Sequence, residues 1–160
     1  NEFGPFSPER AGGLPAGDLV RMCFGESVTE KDMLRKMVGR GGLMAYTGTS
    51  DVREVKTMAA GGDERAREAL DAMAYAVAKE IGAQAAVMSG NVDAVLFTGG
   101  VAFDSDFVAA VQKRVQWIAP VLVYPGEDEM PALAEGALRV LRGEEECKIY
   151  GRFISGGEKA

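Results

Sequence analysis

Val95-Leu96-Phe97-Thr98-Gly99-Gly100-Val101-Ala102 is a short apolar run that breaks on a glycine pair. Bounded by Asp93 before it and by glycine after it, Val95-Leu96-Phe97 fits a buried parallel strand entering a tight turn. Downstream, the period changes. Phe107, Val108, Val111 and Val115 recur at helical spacing, which predicts a helix from about Asp104 to Trp117. Val121-Leu122-Val123-Tyr124 then repeats the strand pattern, Pro125-Gly126 turns it, and a last helix is expected over Met130 to Arg142. Strand, helix, strand, helix in this order predicts an α/β fold with a parallel crossover.

Upstream of this unit the pattern is helical. Asp63 is placed to cap a long helix to about Ser89, whose inward face would be Ala66, Leu70, Met73, Val77, Ile81, Gln84 and Met88. An alanine flank, Ala69, Ala74, Ala78 and Ala85, would let a neighbour approach closely, including a second copy of the chain. Before it, Thr47-Gly48-Thr49-Ser50-Asp51 is a turn rich in N-cap residues, followed by a helix through Val52, Val55 and Met58 that ends at Gly61-Gly62. Leu43-Met44-Ala45-Tyr46 reads as a short strand after the Gly41-Gly42 stop. Thr29 would accept from the backbone N–H of Asp32 and start a helix over Met33, Leu34, Met37 and Val38, and Asp18 would cap another over Leu19 to Phe24. Residues 1–17 are rich in glycine and proline and predict an irregular segment; because Asn1 opens inside it, residues are expected to precede it. A domain over 1–150 and a mobile tail over 151–160 are expected. Two strands apolar on both faces predict an incomplete, mostly parallel sheet that needs cover from upstream residues or another polypeptide.

Composition narrows the chemistry. The 160 residues are 47% hydrophobic and 26% charged, a globular balance. A net charge of −6 argues against a protein that wraps a nucleic acid. The absence of histidine excludes a histidine-based triad or histidine-ligated zinc from these residues. The two cysteines, Cys23 and Cys147, form no metal motif, and no stretch approaches the ~18 apolar residues of a membrane span, so a cytoplasmic location is expected.

Four stretches suit a ligand, and each has a plainer use. The Gly99-Gly100 turn opens a helix whose free N–H groups attract anions, yet a tight turn needs glycine too. Asp51-Val52-Arg53 offers an acid and an arginine to a ribose or base edge, or simply caps a helix. Arg10, beside Gly12-Gly13, suits an anion or loop carbonyls. Glu127-Asp128-Glu129 suits magnesium and its waters, or complements a helix dipole.

Taken together, these runs resemble a known family. Gly4 to Pro15, Gly41 to Val55, Val95 to Ala102, Tyr124 to Met130 and Gly136 to Glu146 are similar, in the same order, to the C-terminal part of the acetate/butyrate kinases. The Gly-Gly-Val-Ala-Phe run at Gly99–Phe103 lies closer to the butyrate side. The resemblance implies the helix-rich C-terminal part of an actin-like, ribonuclease-H-like ATPase domain. It implies an enzyme that transfers phosphoryl from ATP to a short-chain carboxylate with Mg2+, reversibly, as a homodimer. It places adenosine against Gly99, Gly100 and Val101, with Asp104 near it and Asp51, Val52 and Arg53 opposite. Arg10 would contact the transferred phosphoryl group, and Glu129 or Glu127 the metal. The phosphate loops, the acyl pocket and the family's histidine would belong to an N-terminal half, without which these residues are expected to be inactive. The competing expectation is a non-catalytic dimerisation module of the same family. Another actin-like ATPase such as a sugar kinase fits Ser7–Pro15 less well.

Overall fold

The computed structural model describes residues 3–25, 28–126 and 128–147. They fall into two units, one ending at Pro125 and one starting at Gly126. The expected boundary at 150 and tail over 151–160 lie outside the described residues, as does Glu127.

The first unit runs α1 (Ala16–Cys23), α2 (Glu30–Met37), α3 (Gly42–Thr47), α4 (Val52–Ala60), α5 (Glu64–Val87), β1 (Val95–Gly99), a 3-10 turn (Gly100–Phe103), α6 (Ser105–Val115) and β2 (Val121–Pro125). The strands pair in parallel, with Val95 opposite Val121, Phe97 opposite Val123 and Gly99 opposite Pro125. The strand–helix–strand expectation therefore holds, with the 3-10 turn added between the glycines and the helix. The core lies between α5, α6 and β1, extended by Leu43 of α3 and Val55 of α4. Phe107, Val108, Val111 and Val115 are all buried, as their spacing predicted.

Helix starts follow the caps where the cap is a side chain. Asp63 accepts from Ala66 N (3.0 Å), and Thr29 accepts from Asp32 N (3.2 Å). Asp18 does not cap α1. Pro15 occupies that position with no side-chain bond, and Asp18 instead pairs with Arg21 at 2.9 Å inside the first turn. Proline there supplies a fixed φ and lacks an N–H that would go unpaired in any case.

The long helix uses its small flank more than its large one. Ala66, Ala69, Met73, Ala74, Ala78 and Ala85 are buried, while Leu70, Val77 and Ile81 are only partly covered. The alanines therefore serve close packing within the chain, against α3, α4 and α6, and are not a free face for a second copy. Gln84 and Met88, expected inward, are exposed; in its last two turns the helix buries only Ala85.

Leu43–Tyr46 is helical, not extended. A helix of six residues is not stable alone. Here the N–H groups of Leu43 and Met44 donate to Ser7 O (3.2 Å) and Pro8 O (2.9 Å), so the preceding loop caps it. Gly41 and Gly42 begin this helix; they do not end the previous one.

Among the described residues the sheet is covered mainly on the face of Phe97, which is buried; Leu96, Leu122 and Tyr124 on the opposite face remain exposed, as in part does Val123, which pairs with Phe97. In the second unit, α7 (Glu129–Leu141) buries none of its residues, and Met130, Leu133 and Leu141 are exposed.

Candidate nucleotide site

The end of β1 is shaped by two glycines with different duties. Gly99 has φ +79°, a left-handed value that an L side chain resists. Gly100 is not left-handed, and a Cβ there would meet no atom within 4 Å. Its lack of a side chain answers no packing need, and it leaves the backbone open to a ligand at the head of the 3-10 turn. Val101 is partly exposed on the same turn.

Asp104 ends that turn and caps α6. Its Oδ1 accepts from Asp106 N (3.1 Å), Phe107 N (3.2 Å) and Lys56 Nζ (2.8 Å). Lys56 Nζ also donates to Asp106 Oδ2 at 2.6 Å. Partial burial alone would raise the Asp104 carboxyl. The Lys56 bond and the two backbone N–H groups outweigh it, and the net shift is downward. Lys56 is raised, chiefly by its bonds to Asp104 and Asp106.

Lys56 brings the second expected segment to the first. It sits on α4, one turn beyond Asp51, Val52 and Arg53. Asp51 caps α4 by accepting from Arg53 N (2.9 Å), and the Arg53 guanidinium folds back onto the same carboxylate, Nε to Oδ1 at 3.1 Å and Nη2 to Oδ2 at 2.8 Å. This fork, with the Arg53 backbone bond, lowers Asp51 to about 2. Thr49 supports the turn, its hydroxyl donating to Glu54 Oε2 (2.8 Å) and accepting from Asp51 N (3.2 Å). Because the Arg53 side chain is 91% exposed, its pairing is easily exchanged for a ligand. Val52 is half-buried at the first position of α4.

Arg10 is held by a different device. Its loop is clamped to α2 and α3 by backbone bonds: Ala11 N to Met37 O (2.9 Å), Gly39 N and Gly41 N to Glu9 O (2.8 and 3.1 Å), and the two bonds that cap α3. Gly42, at φ +59°, has no room for a side chain, since a Cβ would overlap Ser7 O. Phe6 stacks at a tilt on Tyr46, with centroids 6.0 Å apart. The Arg10 side chain itself is exposed and has no partner among the described residues. Beside this loop lies a cavity of about 730 Å³, lined by Phe6, Met22, Met33, Met37 and Tyr46 among others. The glycine turn and the head of α4 are not part of it, and the candidate nucleotide site is an open shelf instead.

Among the described residues, no three acidic or cysteine side chains converge as a metal cage would require. Asp51, Asp104 and Asp106 are all engaged by cations of the chain. Glu129 opens α7 and makes no hydrogen bond or ion pair among the described residues, so its carboxylate is available. That fits magnesium, which keeps several waters and takes one or two carboxylates plus phosphate oxygens.

Comparisons with known proteins establish the family. Residues 9–119 match the family described as the Acetokinase family. The chain belongs to that family. It is 52% identical over 147 residues to Butyrate kinase 2 of Clostridium acetobutylicum, a match that takes in 92% of this chain and 41% of the relative. It therefore spans about two fifths of that protein's length. Among solved structures, the acetate kinase of Porphyromonas gingivalis superposes with a TM-score of 0.78 at 23% identity, over 87% of this chain and 41% of that one. The acetate kinase of Entamoeba histolytica gives 0.73 at 17% identity, over 86% and 43%. A propionate kinase of Francisella tularensis gives 0.67 at 18%, over 79% and 38%. The fold is thus that of the acetate kinases, as the resemblance implied.

Two features of this family member were not read from its sequence. Lys56 joins segments 48 positions apart, and nothing in local spacing marks it out from other helix lysines. The clamp on the Arg10 loop left a trace in Gly41-Gly42, which read as a helix stop. An additional hint was available in Ser7-Pro8, whose carbonyls meet the orphan N–H groups of α3.

Proposed function

We propose that this chain carries the nucleotide-binding part of a butyrate-kinase-like enzyme. That enzyme transfers the γ-phosphoryl of ATP to a short-chain carboxylate, giving acyl phosphate and ADP, and runs reversibly. The observation that carries this reading is the open glycine turn at Gly99–Gly100, tied through Lys56 to the head of α4, in a chain 52% identical to Butyrate kinase 2 over 147 residues.

Adenosine lies along Gly99, Gly100 and Val101, with Asp104 beside the ribose and Asp51, Val52 and Arg53 across from it. The exposed Arg10 guanidinium, fixed from behind by its clamped loop, offers planar donors to the oxygens of the moving phosphoryl group. In the transfer, a carboxylate oxygen of the substrate forms the new P–O bond as the bond to ADP breaks. Glu129, the described carboxylate, or Glu127 would hold the waters of a Mg2+ ion, which would supply charge neutralisation for the phosphates.

Partners follow from the same reading. An N-terminal half of the enzyme supplies the acyl pocket and covers the exposed apolar face of Leu96 and Tyr124. The assembled enzyme is a cytoplasmic homodimer, and these residues alone do not turn over. No described helix is long and apolar enough to cross a membrane.

The test is an acyl-phosphate assay of the full-length protein with butyrate and MgATP, trapping the product as a hydroxamate. Turnover that Arg10→Gln lowers at least a hundredfold is expected. Full turnover in that variant, or no binding of ADP by calorimetry, overturns the reading. A stable dimer without nucleotide binding would instead favour an interaction module.

A further inference from the structure

We infer that Lys56 is a positioning residue for the nucleotide, fixing the Asp104 carboxylate so that its second oxygen faces the ribose. The inference rests on the nucleotide site proposed above.

Asp104 has two carboxylate oxygens with unequal work. Oδ1 takes three donors, the N–H groups of Asp106 and Phe107 and the ammonium of Lys56. Oδ2 takes none among the described residues. The backbone donors alone would leave the carboxylate free to exchange its oxygens, as N-cap aspartates do. A third donor, from another helix, locks one oxygen inward and leaves the other for an outside hydroxyl. A vicinal diol is a fitting donor to a single carboxylate oxygen.

Lys56 also sets where Asp104 stands. It is the cation that joins α4 to the head of α6 through both Asp104 and Asp106. Its stem borders a hollow of about 170 Å³ with Leu70, Ala74 and Phe107, which steadies the side chain along an apolar wall. Farther along α6, Arg114 pairs with Asp71 of α5 at 2.7 Å. The helix is thus pinned at two points, and only the Lys56 pin bears on the glycine turn. Among the described residues, no other ion pair ties α4 to the head of α6.

The experiment compares the full-length protein with Lys56→Met, which keeps the apolar stem and removes the charge, and with Lys56→Arg. Calorimetry reads the Kd of ADP and of adenosine; kinetics read KM for ATP, KM for the carboxylate and kcat. Lys56→Met is expected to weaken ADP and adenosine alike, by about tenfold, and to raise KM for ATP by the same factor. KM for the carboxylate should stay within about twofold, and Lys56→Arg should recover most of the loss. Asp106→Asn, which removes the outer partner and leaves the site residues in place, should show the same pattern at smaller size. Unchanged nucleotide affinity in both Lys56→Met and Asp106→Asn overturns the inference and leaves the proposed site standing. So does a loss confined to ADP, which would make Lys56 a mere counter-charge to phosphate. A wild-type protein that binds neither ligand overturns the site and the inference together.

Discussion

The loop that carries Arg10 and the turn that carries Gly99–Gly100 are built on opposite principles. The first is held by backbone: five interelement hydrogen bonds reach it from α2, α3 and the link between them, and glycines bring main chains together where no side chain fits. The second is held by side chains: a lysine from α4 grips two aspartates at the head of α6, next to a turn where a side chain on Gly100 would meet open space. A backbone clamp is indifferent to pH and salt and gives a fixed platform. An ion-paired turn can adjust to a ligand, and it responds to anything that alters charge. On the reading proposed above, a phosphoryl-contacting Arg10 would need the fixed platform, since small misplacement costs rate steeply, while a nucleotide site would tolerate the adjustable one.

The contrast can be broken most forcefully at Gly42. Gly42→Ala forces a Cβ into Ser7 O at a left-handed φ, and should lower unfolding free energy by about 3 kcal/mol in urea denaturation. A midpoint indistinguishable from wild type would show that the loop is not clamped. Next comes the charged turn. Asp104→Asn should cost about 1 kcal/mol at pH 7, as a charge-assisted contact and part of a cap weaken. Because the folded carboxyl lies below its ordinary value of 3.8, its stabilisation is fully present above that pH and fades as pH falls through the folded value. The wild-type and Asp104→Asn stabilities should therefore converge as pH falls through that folded value, and a gap that persists at the acid end of the titration would refute the ion-pair account. The raised Lys56 acts in the other direction, its contribution lost only as pH rises beyond 10.5.

Gly100→Ala sharpens the comparison from the other side. With open space around it, the substitution should shift stability by less than about 0.5 kcal/mol, yet weaken ADP about tenfold by crowding the shelf. Equal ADP affinity would mean that the glycine serves no ligand. The smallest effect is at Arg53. Arg53→Ala should leave the unfolding midpoint unmoved, and NMR titration should find the Asp51 carboxyl rising from about 2 toward 3.8. An Asp51 that still titrates near 2 would assign its shift to the α4 backbone and not to the guanidinium.

Much of the fold was legible because it is local. Asp63 and Thr29 cap the helices they were expected to cap, and Phe107, Val108, Val111 and Val115 face inward at their helical spacing. The site residues were legible only in part. Asp51 announced itself as a cap and Asp104 only as the approximate start of a helix, and a cap and a ligand contact look alike in sequence. Leu43–Tyr46 was misread since a four-residue apolar run carries no period, and its helical state comes from carbonyls of a loop 36 positions earlier. The alanine flank of α5 was read as available, whereas tertiary packing consumes it.

By itself, then, the sequence determined the β1–α6–β2 order, the caps of α2, α4 and α5, the inward face of α6 and the family, since each depends on neighbours a few residues apart or on runs of residue identity. Only the tertiary structure decided that Gly42 lies against Ser7, that Arg10 stands on a backbone platform, and that Lys56 locks one oxygen of Asp104. Those are meetings of segments 35 and 48 positions apart, where chain geometry, not local preference, selects the partner.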